Sequence, residues 1–134
     1  MKLVLDTNIF ISAFFWGGNP RKIVERINGS IDLLYITNEI FDEITQVLAR
    51  SKFNVDKTNI ARLINAIKEM SVCITVEGVI KGVCRDSKDD IILECGWCCG
   101  ADYVITGDDD LLSLKSFRGI EIITASQYLN DVKK

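Results

Sequence analysis

Lys2-Leu3-Val4-Leu5-Asp6 and Tyr103-Val104-Ile105-Thr106-Gly107-Asp108 share one pattern, a short apolar run that ends on an acid. Apolar runs of this length, without polar alternation, suit strands buried on both faces, as in a parallel sheet. Strand and helix patterns alternate between and around them. Residues 21–28 read as a helix with Ile23, Val24 and Ile27 on one stripe and Gly29 closing it. The Gly17-Gly18-Asn19-Pro20 run before it reads as a loop whose proline suits a first helical turn. Residues 32–36 read as a second strand. Asn38 is placed to cap a helix to about residue 50, with Ile40, Ile44, Val47 and Leu48 at helical spacing. Residues 56–70 form another helical pattern, with Ile60, Leu63, Ile64 and Ile67 inward, and 72–76 a strand. Asp86-Ser87-Lys88-Asp89-Asp90 opens a helix that reaches about residue 99. A short helix over 109–114, a last strand over 119–124 and a terminal helix capped by Ser126 complete the order.

This alternation predicts an α/β fold with a parallel sheet covered by helices on both faces. The 134 residues make one ordinary domain, 1–134, with no repeat, low-complexity stretch or long linker. Ligands of such sheets sit outside the carboxyl ends of the strands. Asp6 and Asp108 both fall at such ends.

Composition narrows the chemistry. The chain is 48% hydrophobic and 26% charged, with a net charge of -3. That balance speaks against a protein that coats nucleic acid by charge alone, which is normally basic. It leaves room for an enzyme that meets phosphate through a bound cation. Histidine is absent, which removes Ser-His-Asp and Cys-His nucleophile systems and imidazole ligands together. No charged segment followed by an apolar signal stretch precedes the first strand, and no run of about 18 apolar residues exists, so a cytoplasmic location is expected. The 5 cysteines are then expected as reduced thiols. Cys95, Cys98 and Cys99, at helical spacing, lack a ready fourth zinc ligand unless Cys73 or Cys84 supplies one, and core packing is the simpler account.

The acids lie in four segments: Asp6-Thr7-Asn8, Glu39-Ile40-Phe41-Asp42-Glu43, Asp86 to Leu93, and Thr106-Gly107-Asp108-Asp109-Asp110. Each has an ordinary structural role open to it. Asp6 at a strand end can hold a turn, Glu43 can be a solvated helix acid, and Asp86 and Asp89 suit a helix start. Drawn together, however, several carboxylates repel one another unless a cation neutralises them. Carboxylate oxygen is the ligand that Mg²⁺ and Mn²⁺ prefer.

Taken in order, these segments resemble the PIN-domain family. Leu3-Val4-Leu5-Asp6-Thr7-Asn8-Ile9 is similar to the family's first strand and first acid. Residues 37–48, with Glu43 before Val47-Leu48, resemble the segment of the second acid, and Asp89-Asp90-Ile91-Ile92-Leu93 that of the third. Residues 101–112 resemble the fourth, and Gly119 to Thr124 with Tyr128-Leu129 the closing strand and helix. The resemblance implies a three-layer α/β/α sandwich and a metal-dependent endoribonuclease using Mg²⁺ or Mn²⁺. It implies Asp6, Glu43, Asp90 and Asp108 as catalytic and metal-binding residues, with Asp89 a close competitor of Asp90. It also implies an RNA substrate, an antitoxin protein as partner, as in prokaryotic toxin–antitoxin pairs, and a homodimer. Asn8 and Thr106 are expected to support the acids. Arg50, Lys52 and Lys57 are candidate RNA-backbone contacts, and Phe14-Phe15-Trp16 a half-buried cluster suited to dimerisation or base stacking. Gly96 weakens its helix by up to about 1 kcal/mol where relatives carry alanine-rich sequence. Two other readings stay open: a PIN-like binding module without turnover, and a receiver- or phosphatase-like domain, against which the lack of a lysine after a late strand speaks.

Overall fold

In the computed structural model, which describes residues 1–50 and 55–133, the sheet has the order β3-β2-β1-β4-β6-β5. Its strands are β1 (Lys2–Leu5), β2 (Leu33–Thr37), β3 (Ser71–Ile74), β4 (Tyr103–Ile105), β5 (Ser116–Phe117) and β6 (Ile120–Ile123). Five are mutually parallel and β5 alone runs antiparallel, against β6. The expected parallel sheet is thus mostly parallel. The two-residue β5 has too little periodicity to be read from sequence. The helices are α1 (Thr7–Phe15), α2 (Gly18–Asn28), α3 (Asn38–Ala49), α4 (Lys57–Met70), α5 (Ser87–Cys99), α6 (Asp109–Leu112) and α7 (Ala125–Lys133).

Successive residues of β4 show the layering. Val104 is fully buried beneath α5, where Gly96 brings the helix down onto Val104 and Ile120. Its neighbour Tyr103 points to the other face and meets the Tyr128 ring of α7 edge-on at 5.2 Å. Leu3, Val4 and Leu5 of β1 are all buried, as expected of a central strand covered on both faces.

Several caps differ from the sequence expectation. Thr37, not Asn38, caps α3, its hydroxyl accepting from the Ile40 amide. Thr124, not Ser126, caps α7: its hydroxyl accepts from the Gln127 amide while the Gln127 side chain accepts from the Thr124 amide. In each case the cap lies one or two residues earlier, because the strand passes into the helix without a loop. The helix after the Gly17-Gly18 turn starts at Gly18, and α1 was not foreseen at all. Its sequence is so uniformly apolar (Ile9, Phe10, Ile11, Ala13, all buried) that it lacks an amphipathic stripe. Asp86 caps α5 as expected, its carboxylate accepting from Lys88. Among the described residues no helix is long and apolar enough to cross a membrane.

Candidate active site

The sheet order changes direction between β1 and β4: β2 and β3 lie to one side of β1, and β6 and β5 beyond β4. A crevice opens at such a switch point, outside the carboxyl ends of the strands. β1 and β4 are paired in register, Leu5 beside Ile105, so the next residues, Asp6 and Thr106, stand side by side. The fully buried Thr106 donates its hydroxyl proton to Asp6 Oδ2 at 2.7 Å and accepts from the Asp108 amide at 3.0 Å. One hydroxyl therefore fixes both the first carboxylate and the turn that carries the last. Asp108 in turn caps α6 through the Asp110 amide, at 2.9 Å.

Glu43 reaches the same place from α3. Its Oε2 accepts from the buried Thr7 hydroxyl at 2.8 Å, and its Oε1 lies 3.8 Å from Lys88 Nζ. Thr7 is the supporting residue that sequence reasoning passed over in favour of Asn8, which is exposed. The helical phase of α1 explains this: the residue directly after the strand turns inward, and the next turns out.

The third acid is the main departure from expectation. Asp89 and Asp90 are both buried, at the start of α5. Asp90 is turned towards the β3–α5 loop, where its two oxygens accept from the amides of Gly82 (3.0 Å) and Cys84 (2.8 Å). One turn on, Glu94 does the same with Gly78 (2.8 Å) and Ile80 (2.7 Å). Burial alone would raise the Glu94 carboxyl, but the loop amides outweigh it and hold it below the usual range. The side chain that faces the cluster is Asp89. Burial, the charges of Asp108, Asp6 and Asp86, and a hydrogen bond with Asp108 push its carboxyl up to about 7. Asp6 is also raised, first by burial and further by Glu43 and Asp108, against the lowering effect of the Thr106 hydroxyl. The structure thus brings together Asp6, Glu43, Asp89 and Asp108, and commits Asp90 to the loop. Sequence offered one signal: Asp90 and Glu94 are four apart and share a helical stripe, so an acid that pairs with Glu94 on a loop cannot also face the cluster.

Among the described residues no three acidic or cysteine side chains enclose a point closely enough to hold an ion as they stand. The donor set nonetheless suits a hard divalent cation. It is all carboxylate and hydroxyl oxygen, and Asp6 and Asp89 are raised first by burial and further by the carboxylates around them.

The remaining candidates separate cleanly. Cys95 is buried as expected, but Cys73 and Cys98 are exposed and Cys84 and Cys99 partly so. Burial pushes the Cys84 thiol up to about 12, with Asp90 adding to it. Phe14 and Phe15 are half-buried and Trp16 is 66% exposed. Arg50 and Lys57 are exposed, and Lys52 lies outside the described residues.

The PIN domain family model matches residues 2–110. An uncharacterized protein of Methanocaldococcus jannaschii is 32% identical over 119 residues, covering 86% of this chain and 76% of that protein. Among solved structures, VapBC2 from Rickettsia felis, bound to a DNA fragment from their promoter, superposes with a TM-score of 0.66. It is 14% identical and covers 91% of this chain and 97% of that one, a likeness of fold. With the sheet order, the acids at its switch point and the family match in agreement, the chain belongs to the PIN-domain family.

Proposed function

We propose that the protein is a divalent-metal-dependent ribonuclease whose ion is held by Asp6, Asp89 and Asp108, with Glu43 completing the cluster. The observation that carries this reading is Asp89, a carboxyl raised to about 7 first by its burial and then by the charges of Asp108 and Asp6 beside it. Carboxylates crowded to that degree are a standing cost to the fold, and such costs concentrate where a group is needed for chemistry. Mg²⁺ or Mn²⁺ bound there supplies Lewis acidity at a phosphate oxygen and lowers the pKa of water. The protein's own part is positional. Thr106 locks the Asp6 carboxylate, Thr7 locks Glu43, and the amide cap of α6 fixes Asp108. Glu43, anchored through one oxygen, has the other turned towards Lys88 and is placed to orient an attacking water.

The fold likeness to the VapBC2 chain supports a further part of the reading, that the protein is the toxin of a toxin–antitoxin pair and binds an antitoxin. The exposed Trp16 beside Phe15, their rings 5.9 Å apart, supports a homodimer, which light scattering measures. To test the activity, purified protein is incubated with end-labelled single-stranded RNA in Mg²⁺, in Mn²⁺ and in chelator. Cleavage is expected only with metal, and Asp6→Asn should lower it by at least about 100-fold, because an amide lacks the charge that offsets a divalent ion. Equal cleavage by parent and Asp6→Asn, or cleavage that survives chelation, overturns the proposal.

A further inference from the structure

An acidic cluster repels the substrate it is proposed to cut. RNA carries a phosphate at every nucleotide, and a bound metal neutralises charge only at the phosphate it touches. The phosphates on either side need cations from the protein. Among the described residues, the side chains that pair with acids around the cluster are Lys88 and Arg85. Lys88 Nζ lies 3.8 Å from Glu43 Oε1, and an Arg85 guanidinium nitrogen 3.9 Å from Asp110 Oδ1. Glu43 comes from α3 and Asp110 from α6, so the two cations stand over opposite flanks of the cluster, yet both come from one four-residue segment at the start of α5. Asp89 follows that segment directly, the next residue after Lys88.

Neither contact is a good resting place for its cation. Both are at the outer limit of an ion pair, and the Arg85 and Lys88 side chains are 86% and 49% exposed. Pairs this open and this long contribute little to stability, and a phosphate offers each cation a stronger, charge-assisted partner. Lys88 also borders a groove of about 230 Å³ between α3 and α5, lined by Ile40, Ile91 and Gln46 together with the acids Glu39, Asp42 and Glu43, so it is the cation on an otherwise acidic rim.

Resting on the ribonuclease reading above, we infer that Lys88 and Arg85 grip the backbone phosphates on either side of the scissile one. They act as positioning residues for a single strand drawn across the cluster. The segment 85–88 therefore sets substrate register while Asp89 serves the ion.

The test uses Lys88→Gln, Arg85→Gln, the double variant, and Lys68→Gln as a control at the opposite end of the sheet. Each is titrated against a fluorescein-labelled ten-nucleotide single-stranded RNA by anisotropy at several salt concentrations, and KM and kcat are measured in Mg²⁺. Each single substitution should weaken RNA binding and raise KM by about tenfold, the equivalent of one charge-assisted hydrogen bond. It should also make the slope of log affinity against log salt shallower by about 0.7. Lys68→Gln should match the parent. An unchanged salt slope in both single variants overturns the inference, as does a fall in kcat with KM and slope intact. If the parent binds RNA but cleaves none with either metal, the nuclease reading fails, and the salt slopes alone still decide whether these cations hold phosphate.

Discussion

Exchanging the amide for the acid at Asp89 and at Asp90 separates two roles that neighbouring, equally buried residues have in this structure. Asp90 accepts two backbone amides, each a charge-assisted bond of about 1.5–3 kcal/mol. In Asp90→Asn one oxygen remains as an acceptor while an NH₂ group confronts the second amide. The expected loss is about 2–3 kcal/mol. For a domain of 134 residues that corresponds to a fall in Tm of about 10 °C. Below its melting range the variant keeps its carboxylate cluster, so its metal-dependent cleavage should stay within a few-fold of the parent. Asp89→Asn should do the reverse. It removes one member of a mutually repelling group, so in chelator at pH 8 stability stays level or rises by up to about 1 kcal/mol, a figure held low because the cluster opens to solvent. Cleavage should fall about 100-fold. Thermal melts in chelator and initial rates on labelled RNA measure both quantities. A stable but inactive Asp90→Asn together with an active Asp89→Asn would refute the assignment of the two residues.

Two more outcomes follow from the same geometry. In chelator, stability should fall as pH rises from about 5 towards 8. Asp89, raised to about 7, and Asp6, also raised, hold protons in the folded state that the unfolded chain has released. The protein therefore binds more protons folded than unfolded across that window, and the slope is negative. Asp89 alone contributes about 1–2 kcal/mol after allowance for solvent screening. Urea midpoints at pH 5 and 8 read the difference, Mg²⁺ should flatten it, and a midpoint that climbs with pH in chelator contradicts the reasoning. Asp32 and Glu94, both lowered, lose their contribution only at more acid pH and do not mask the effect. At Gly96 an added Cβ would stand 3.3 Å from Ile120 Cδ1 and 3.4 Å from Val104 Cγ2. Gly96→Ala should thus forfeit most of its roughly 1 kcal/mol helix advantage, and Gly96→Val should cost about 1–3 kcal/mol by overpacking. A valine variant with a higher urea midpoint would show that α5 has room to lift.

The fold was legible where periodicity and strand-end chemistry agree. Lys2–Leu5 and Tyr103–Ile105 announce buried strands, Asp86 a cap, and the alternation a mostly parallel sheet. What escaped was set by contacts between distant segments. α1 has no polar stripe to betray it, because its apolar residues are buried and α2 and α3 pack against it. The choice between Asp89 and Asp90 is a matter of about 100° of helical phase. That phase is fixed by loop amides at 78–84, which no local pattern reveals. Gly96 reads in sequence as a weak point of its helix. In space it is what lets the helix settle onto Val104 and Ile120.

The position of β1 also has a consequence for the order of events during synthesis. The strand that carries the first acid is central, and its neighbour on one side, β4, comes from the far end of the family match. At ordinary translation rates Asp108 follows Asp6 by roughly 5–20 s. During that interval the growing chain has β1, β2 and β3, the half of the sheet on one side of the switch point, while Asp6 lacks Thr106 to hold it. A nascent chain that stops short of β4 therefore carries at most three of the four clustered acids without a centre, and the cluster closes only once β4 and Asp108 have been made. For an enzyme proposed to cut RNA, the molecule that encodes and builds it included, that timing is a built-in delay.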